Sequence, residues 1–503
     1  MKIDGEHLNW EEVIKFGVTP EEKVEIPPEV VEKVEEGRKI LEAHMEKTLY
    51  GVNTGFGALA GKRIDTHQLK KLQENLIKSH HAGTGRYVEP EMARAAALIR
   101  LNSLVKGYSG VRKELVFAIR DFLNAGLAPC MPEHGSVGAS GDLAPLAAFA
   151  LAISFPEKVE VWSWEGKWVC RKGEEVFRIK GLKPYSLAEK EALSLINGTP
   201  FSTSLTLFAF HFARKALAVS DVAFALSMEA FLGDSRALFK EIHRVRNLEG
   251  QKETAAIAER LLDGSRLIGT SGQVQDPYSF RCYPQVAGTV REALIFAERI
   301  LQGEINAATD NPLIFKEGVF SGGNFHAQPV ALVADLISIA LSYIGGISER
   351  RTFALLDEKL NRGLPAFLTP EPGLNSGLMI GQYTAASLQS ENRVLSNPAS
   401  VDSIPTSANQ EDFVSMAPVA ARKALKVAEN TLRILAIEIL CACQAIDLRQ
   451  GKDKLAPRTR RAYELVRKKV PFIEEDEVLR DKIETLYQML KEDFADEVLL
   501  HEG

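Results

Sequence analysis

Apolar positions recur at helical spacing through most of this chain. From about Ser204 they predict four very long helices, 204–231, 286–306, 327–349 and 411–449. Their apolar faces are broad and rich in Ala and Leu, as helices packed inside a bundle require. The last far exceeds the usual globular length and is expected to span a bundle or a subunit interface. Upstream, residues 92–125 carry the same period, cut in two by Gly107, Ser109 and Gly110. Between Val159 and Lys180 the period changes. Val159, Val161, Trp162, Trp164, Trp168 and Val169 crowd around Glu165-Gly166, which predicts a short hairpin. The tail, 451–503, alternates Lys/Arg with Asp/Glu and reads as exposed, partly peripheral helix. The predicted fold is all-α: a long-helix bundle with a loop-rich N-terminal region and a small β-hairpin excursion. The expected divisions are 1–200, 201–450 and 451–503.

Composition limits what such a bundle can be for. The 503 residues are 45% hydrophobic and 25% charged, enough for a large core and typical of a globular protein. A net charge of −6 offers no basic face, so no nucleic-acid partner is expected. The opening MKIDGEHLNWEE is acidic and polar, unlike a secretory signal. Apolar runs such as Leu143 to Pro156 fall short of the roughly 18 uncharged residues of a membrane span. The expectation is a cytoplasmic protein with no membrane partner. Five cysteines (Cys130, Cys170, Cys282, Cys441, Cys443) do not read as a disulfide framework. Cys441-Ala-Cys443 lacks a second Cys or His pair nearby, so buried thiols are expected there and no metal.

The chemistry is expected in the islands between helices: 50–57, 131–141, 197–200, 271–284, 309–324 and 405–412, each rich in Gly, Asn, Ser, Pro or Tyr. In GSVGASGDLAPL, residues 135–146, Asp142 before Leu-Ala-Pro reads as a capping carboxylate followed by a first-turn proline. The Gly-rich segment therefore delivers Ser140 and Gly141 to a helix N-terminus, which favours developing negative charge. Such a loop can be a phosphate-binding turn or simply a tight turn. It also admits a third chemistry. If the Gly141 nitrogen reaches the Ala139 carbonyl carbon, a five-membered ring closes, and Gly has no Cβ to block that approach. Dehydration, including loss of the Ser140 hydroxyl, leaves an exocyclic methylidene, an electrophile made without an added cofactor. Asp142 is the expected proton acceptor supporting this cyclisation.

Six further segments stand in order with PEHGSVGASGDLAPLA: TLYGVNTGFG (48–57), INGT (196–199), VQDPYSFRC (274–282), EINAATDNP (304–312), SGGNFHAQPVA (321–331) and TSANQED (406–412). Together they resemble the histidine and aromatic amino acid ammonia-lyase family over about residues 48–412. Taken singly, Tyr50 and Tyr278 would be ordinary loop tyrosines, Arg281 a surface ion-pair partner and Phe325 a core residue. The resemblance implies a methylidene-imidazolone formed autocatalytically from Ala139-Ser140-Gly141, with no external cofactor. It implies an all-α homotetramer acting on a small amino acid, with sites that combine loops of different subunits. Tyr50 is implied as the catalytic tyrosine, with Asn197 and Tyr278 supporting the ring and the reacting amine. Arg281 would clamp the substrate carboxylate, for which a planar guanidinium fork suits two oxygens. Gln275 and Asn311 are implied as neighbouring polar groups and Phe325 as a pocket wall.

Substrate choice follows a few positions. Ser79-His80 in LIKSHHAG resembles the histidine-specific members, where tyrosine lyases place His-Leu and phenylalanine lyases Phe-Leu. Glu411 in NQED matches the histidine members too, where phenylalanine enzymes carry a neutral amide. FHA at 325–327 points the same way. Imidazole has a donor and an acceptor nitrogen, and His80 and Glu411 are candidate partners for both. Three positions depart from the pattern: His81 for Ala, Pro200 for Gln and Phe413 for His. The implied reaction is elimination of ammonia from L-histidine to urocanate. The amine adds to the methylidene, and Tyr50 or Glu411 takes the β-proton. A tyrosine base would need a lowered pKa, expected from converging helix N-termini. An aromatic amino acid lyase or 2,3-aminomutase of the same family is the alternative, and a fumarase/aspartase-type lyase a more distant one.

Overall fold

The computed structural model describes residues 1–500. The four long predicted helices are present as Pro200–Ala230, Tyr283–Glu304, Gln328–Leu356 and Ala417–Leu448. The 92–125 stretch is Pro90–Leu104 and Lys113–Asn124, parted at the expected break. Gln328–Leu356, predicted as 327–349, holds a window of mean hydropathy 2.0 and is long and apolar enough to cross a membrane, unlike the shorter apolar runs weighed above. With 61% of that window buried inside the protein, it has the environment of a core helix.

Most predicted helix ends shift by a few residues, Gln328–Leu356 running past 349, and two differences have a visible cause. The last long helix starts at Ala417, not 411, because the residues before it hold the Gly-rich loop instead. Met416 donates its N–H to the Val137 carbonyl at 2.8 Å, and Ser415 Oγ donates to that of Gly138 at 2.9 Å. The predicted hairpin is Glu160–Trp164 with Trp168–Lys172, turning at Glu165-Gly166, and Leu127–Pro129 joins it as a third strand. From Gly173 to Lys180 the chain is helical, with Gly173, Val176 and Phe177 buried at i, i+3 and i+4. Two small strand pairs escaped the sequence reading: Thr84–Tyr87 with Pro132–His134, and Leu313–Phe315 with Gly318–Phe320.

The chain forms two compact units, each assembled from three separated stretches. The first comprises Met1–Phe208, Glu298–Ala334 and Pro398–Arg422. Hydrogen bonds hold the returning segments: Ile314 N–H reaches the Tyr108 carbonyl at 2.9 Å, and the Met416 N–H and Ser415 hydroxyl tie to the carbonyls of Val137 and Gly138. Its centre is Leu143–Ser154, buried from Ala144 onward and packed against Leu69–His80 and Glu191–Ile196, while Pro90–Leu104 packs on Trp10–Val18. The second unit comprises Ala209–Ala297, Asp335–Asn397 and the chain from Lys423 onward. Tyr283 stacks on Phe224 at 4.1 Å and donates to Asp221 at 2.7 Å, while Arg351 and Glu438 pair without exposure. The charged tail is helical but well anchored here. Leu486, Tyr487 and Leu490 are buried, and Arg467 pairs with Asp447 at 2.6 Å. Cys441 and Cys443 are fully buried thiols, and burial pushes Cys443 up to about 12.

Candidate active site

The Gly-rich loop is held in the first unit by the segment Asn197-Gly198-Thr199. Gly141 and Gly198 form a parallel bridge, and the Asp142 N–H donates to the Gly198 carbonyl at 2.6 Å. Gly141 has φ +72°, and a Cβ there would lie 2.1 Å from the Gly198 oxygen. Only glycine fits that contact. Asn197 Nδ2 donates to the Ser140 carbonyl at 2.7 Å. Ser140 Oγ donates to Glu411 Oε1 at 2.6 Å, and Thr406 Oγ1 donates to Glu411 Oε2 at 2.6 Å. Glu411 is presented by a small bridge with Thr406 across Ser407, Ala408 and Asn409, all at positive φ.

Asp142 stands where a cap for Leu143–Ser154 was expected, but its side chain makes no bond to that helix. It turns instead to the start of Pro200–Ala230, accepting from Ser202 N at 2.8 Å and Ser202 Oγ at 2.9 Å. Pro200 occupies the first helical position, where a missing N–H costs nothing. Burial raises the Asp142 pKa from 3.8 to about 7, against the Ser202 and Phe201 bonds that lower it. Folded Asp142 therefore keeps a proton the unfolded chain has lost, and stability falls as pH rises from 3.8 to about 7. Asp142→Asn, which cannot ionise, is expected to melt above the wild type at about pH 8, the gap closing toward about pH 4. Calorimetry across that range checks it, and a gap independent of pH contradicts the assignment.

A cavity of about 690 Å³ opens on this loop, lined by Tyr50, His80, Ser140, Asn197 and Glu411 together with apolar side chains such as Leu76 and Leu193. His80 ends the helix Leu69–His80, and its Nδ1 lies 2.9 Å from the Leu76 carbonyl. A carbonyl only accepts, so Nδ1 carries the proton and Nε2 is the acceptor of the neutral ring. Burial lowers the His80 pKa, against opposing contributions from the Leu76 bond and Glu411. Tyr50 accepts the Gly57 N–H at 3.1 Å. Burial raises its pKa and the Glu411 charge adds to the rise, against the Gly57 bond. The direction is opposite to the lowering expected from helix N-termini, first because the phenol is buried and then because the charge beside it is a carboxylate.

The departures fall outside this cavity's lining. His81 caps the Leu69–His80 helix, with Nδ1 buried and unpartnered. Phe413 is exposed and stacks on His326 at 6.0 Å. Asn311 is buried and its Oδ1 accepts the Gly322 N–H at 2.7 Å, while Phe325 is half-buried; neither lines the cavity. Gln275, Tyr278 and Arg281 belong to the second unit and are not lining residues either. There the Arg281 guanidinium lies 4.7 Å over the Tyr278 ring, and Tyr278 is 70% exposed. Sequence reasoning missed Thr406, although it opens the TSANQED segment. It also missed Arg100, a charge in the apolar run AAALIRLNSL, which donates to the Asn197 carbonyl at 2.7 Å.

The chain is similar to known proteins in both sequence and fold. Histidine ammonia-lyase of Geobacillus thermodenitrificans is 47% identical over 474 residues, covering 92% of each chain. The crystal structure of histidine ammonia-lyase from Trypanosoma cruzi superposes with a TM-score of 0.92 at 40% identity, covering 99% of this chain and 94% of that one. Tyrosine aminomutase from Streptomyces globisporus superposes with a TM-score of 0.93 at 35% identity, covering 99% and 98%. The sequence model of the aromatic amino acid lyases matches residues 8–468, and this chain belongs to that family.

Proposed function

We propose that this chain eliminates ammonia from L-histidine to give urocanate, a step of histidine degradation, using an electrophile made from Ala139-Ser140-Gly141. The observation that carries the reading is the convergence of Ser140, Glu411, His80, Tyr50 and Asn197 on one cavity. The loop suits ring closure. Closure joins the Gly141 nitrogen to the Ala139 carbonyl carbon and releases that carbonyl oxygen as water. The Ser140 hydroxyl leaves with the Ser140 Cα proton as a second water. Asp142, with its pKa near neutrality, is the acceptor that moves these protons. Once formed, the methylidene-imidazolone supplies an electrophilic carbon that turns the substrate amine into a better leaving group. Asn197 Nδ2, already on the Ser140 carbonyl, would stabilise negative charge developing on that oxygen.

The same loss of water frees Glu411. Its Oε1 is occupied by the Ser140 hydroxyl before closure, and that hydroxyl departs. Glu411 then faces the substrate as a carboxylate steadied by Thr406, and we assign it the β-proton. Tyr50, with its raised pKa, serves as a neutral phenol that positions the reacting carbon. His80 Nε2 accepts the imidazole N–H. The superposition on an aminomutase is as close as that on a histidine lyase, so the fold does not discriminate between them; His80 and Glu411 favour histidine.

Gln275, Tyr278 and Arg281 are proposed to act from a neighbouring copy in a homotetramer, with Asn311 and Phe325 lending support at the rim. Exposed apolar side chains of the second unit, Val274 at 89%, Leu374 at 80% and Val394 at 74%, support burial against another copy. Light scattering is expected to report a tetramer, and an active monomer would exclude this assembly. Function is tested by assaying histidine, phenylalanine and tyrosine side by side, with intact mass on the same sample. Urocanate release well above cinnamate or coumarate release, from chains lighter by two waters, is the expected result.

A further inference from the structure

We infer that Arg100 is a positioning residue for ring closure, fixing the Asn197–Gly198 peptide against which the Ala139-Ser140-Gly141 loop closes. The inference rests on the proposed electrophile. Arg100 is fully buried, and its Nη1 donates to the Asn197 carbonyl at 2.7 Å. A Cβ on Gly198 would lie 2.4 Å from that same nitrogen and 2.6 Å from Thr309 Oγ1, so Arg100 and Thr309 press close on one side of Gly198 and leave no room for a side chain. The residues on either side of that peptide face the loop: the Asn197 side chain holds the Ser140 carbonyl through Nδ2, and the Gly198 carbonyl takes the Asp142 N–H. Every strong contact of the closing loop with 197–198 is therefore referred to Arg100.

Arg94, on the same helix, shows what a structural arginine looks like here. Its Nε, Nη1 and Nη2 all find carbonyls, of Phe16, Leu123 and Glu22, at 3.0, 2.7 and 3.0 Å. Arg100 Nε and Nη2 find no hydrogen-bond partner among the described residues. A buried cation that leaves two of its three nitrogens unbonded is costly. It is tolerated beside Asp310, which also pairs with buried Lys190 at 2.6 Å. The single bond it makes is the one that sets the backstop of the loop.

The test uses the full-length protein with Arg100→Met, Arg100→Lys and, as a structural control, Arg94→Met. Intact mass gives the fraction of chains lighter by two waters at isolation and during incubation; circular dichroism reports folding. Folded Arg100→Met is expected to lose water at least about tenfold more slowly, since small misplacement of reacting groups costs rate steeply. Activity should follow the dehydrated fraction with KM unchanged, and Arg100→Lys should dehydrate faster than Arg100→Met but more slowly than the wild type. Arg94→Met should melt earlier yet be fully dehydrated in its folded fraction. A folded Arg100→Met that dehydrates like the wild type overturns the inference. If that variant does not fold, Arg100→Lys decides: slowed dehydration supports the role and a wild-type rate overturns it. Wild-type chains that never lose water would sink the electrophile itself, a separate failure.

Discussion

Ser140→Ala is expected to abolish both the loss of water from residues 139–141 and the elimination reaction. An alanine has no hydroxyl to leave, so no methylidene can form however well the ring closes. The expected loss in kcat is roughly three orders of magnitude or more, out of the six or more an enzyme usually supplies. Folding should be intact, because the Ser140 side chain makes one bond, to Glu411, and sits at a cavity wall. Gly141→Ala should reach the same chemical end by another route. Its Cβ would collide with the Gly198 backbone at 2.1 Å, and φ +72° strains any other residue. Peptide mapping with steady-state assays on both variants checks this. Full activity with an unmodified Ala139-Ser140-Gly141 would remove the basis of the proposed mechanism.

The long helices were legible because burial on one broad face writes a 3.6-residue period that nothing local opposes. The period misleads where a segment serves another element: 411–416 continue the apolar pattern toward 417–448 but are spent on the Gly-rich loop. Asp142 shows the same limit. Its place before Leu143 matches a cap, yet a carboxylate turns to whichever orphan N–H groups lie near, and those of Pro200–Ala230 were invisible at a separation of 60 residues. Short strands such as Leu313–Phe315 escaped for want of enough residues to show alternation. Within the candidate site, Ser140, Asn197, Tyr50, His80 and Glu411 gather in one cavity. Each is a polar residue in a loop or at a helix end, where polarity is informative. Arg100 was hidden because an arginine within an apolar helix gives no sign of which carbonyl it meets.

The contrast between His80 and His81 yields the sharpest test of substrate choice. Sequence alone leaves either histidine able to hold the substrate ring, since the two are adjacent. Geometry separates them: His80 lines the cavity with Nδ1–H fixed on Leu76, whereas His81 is absent from the lining. His80→Leu should weaken histidine turnover by about 1–3 kcal/mol, because a buried substrate N–H is left without its acceptor. His81→Ala should change it little. Glu411→Gln should cost more than His80→Leu and appear in kcat as well as KM, since it removes a proton carrier along with a contact. Cinnamate release from phenylalanine should start low and gain relative to histidine in His80→Leu, because an apolar pocket no longer penalises a phenyl ring. Steady-state kinetics of the three variants on both substrates decide the matter. A severe His81→Ala with a mild His80→Leu would move the ring contact to the neighbouring histidine. Equal or better activity on phenylalanine, with His80→Leu and Glu411→Gln leaving histidine turnover unchanged, would make the chain an aromatic lyase or aminomutase.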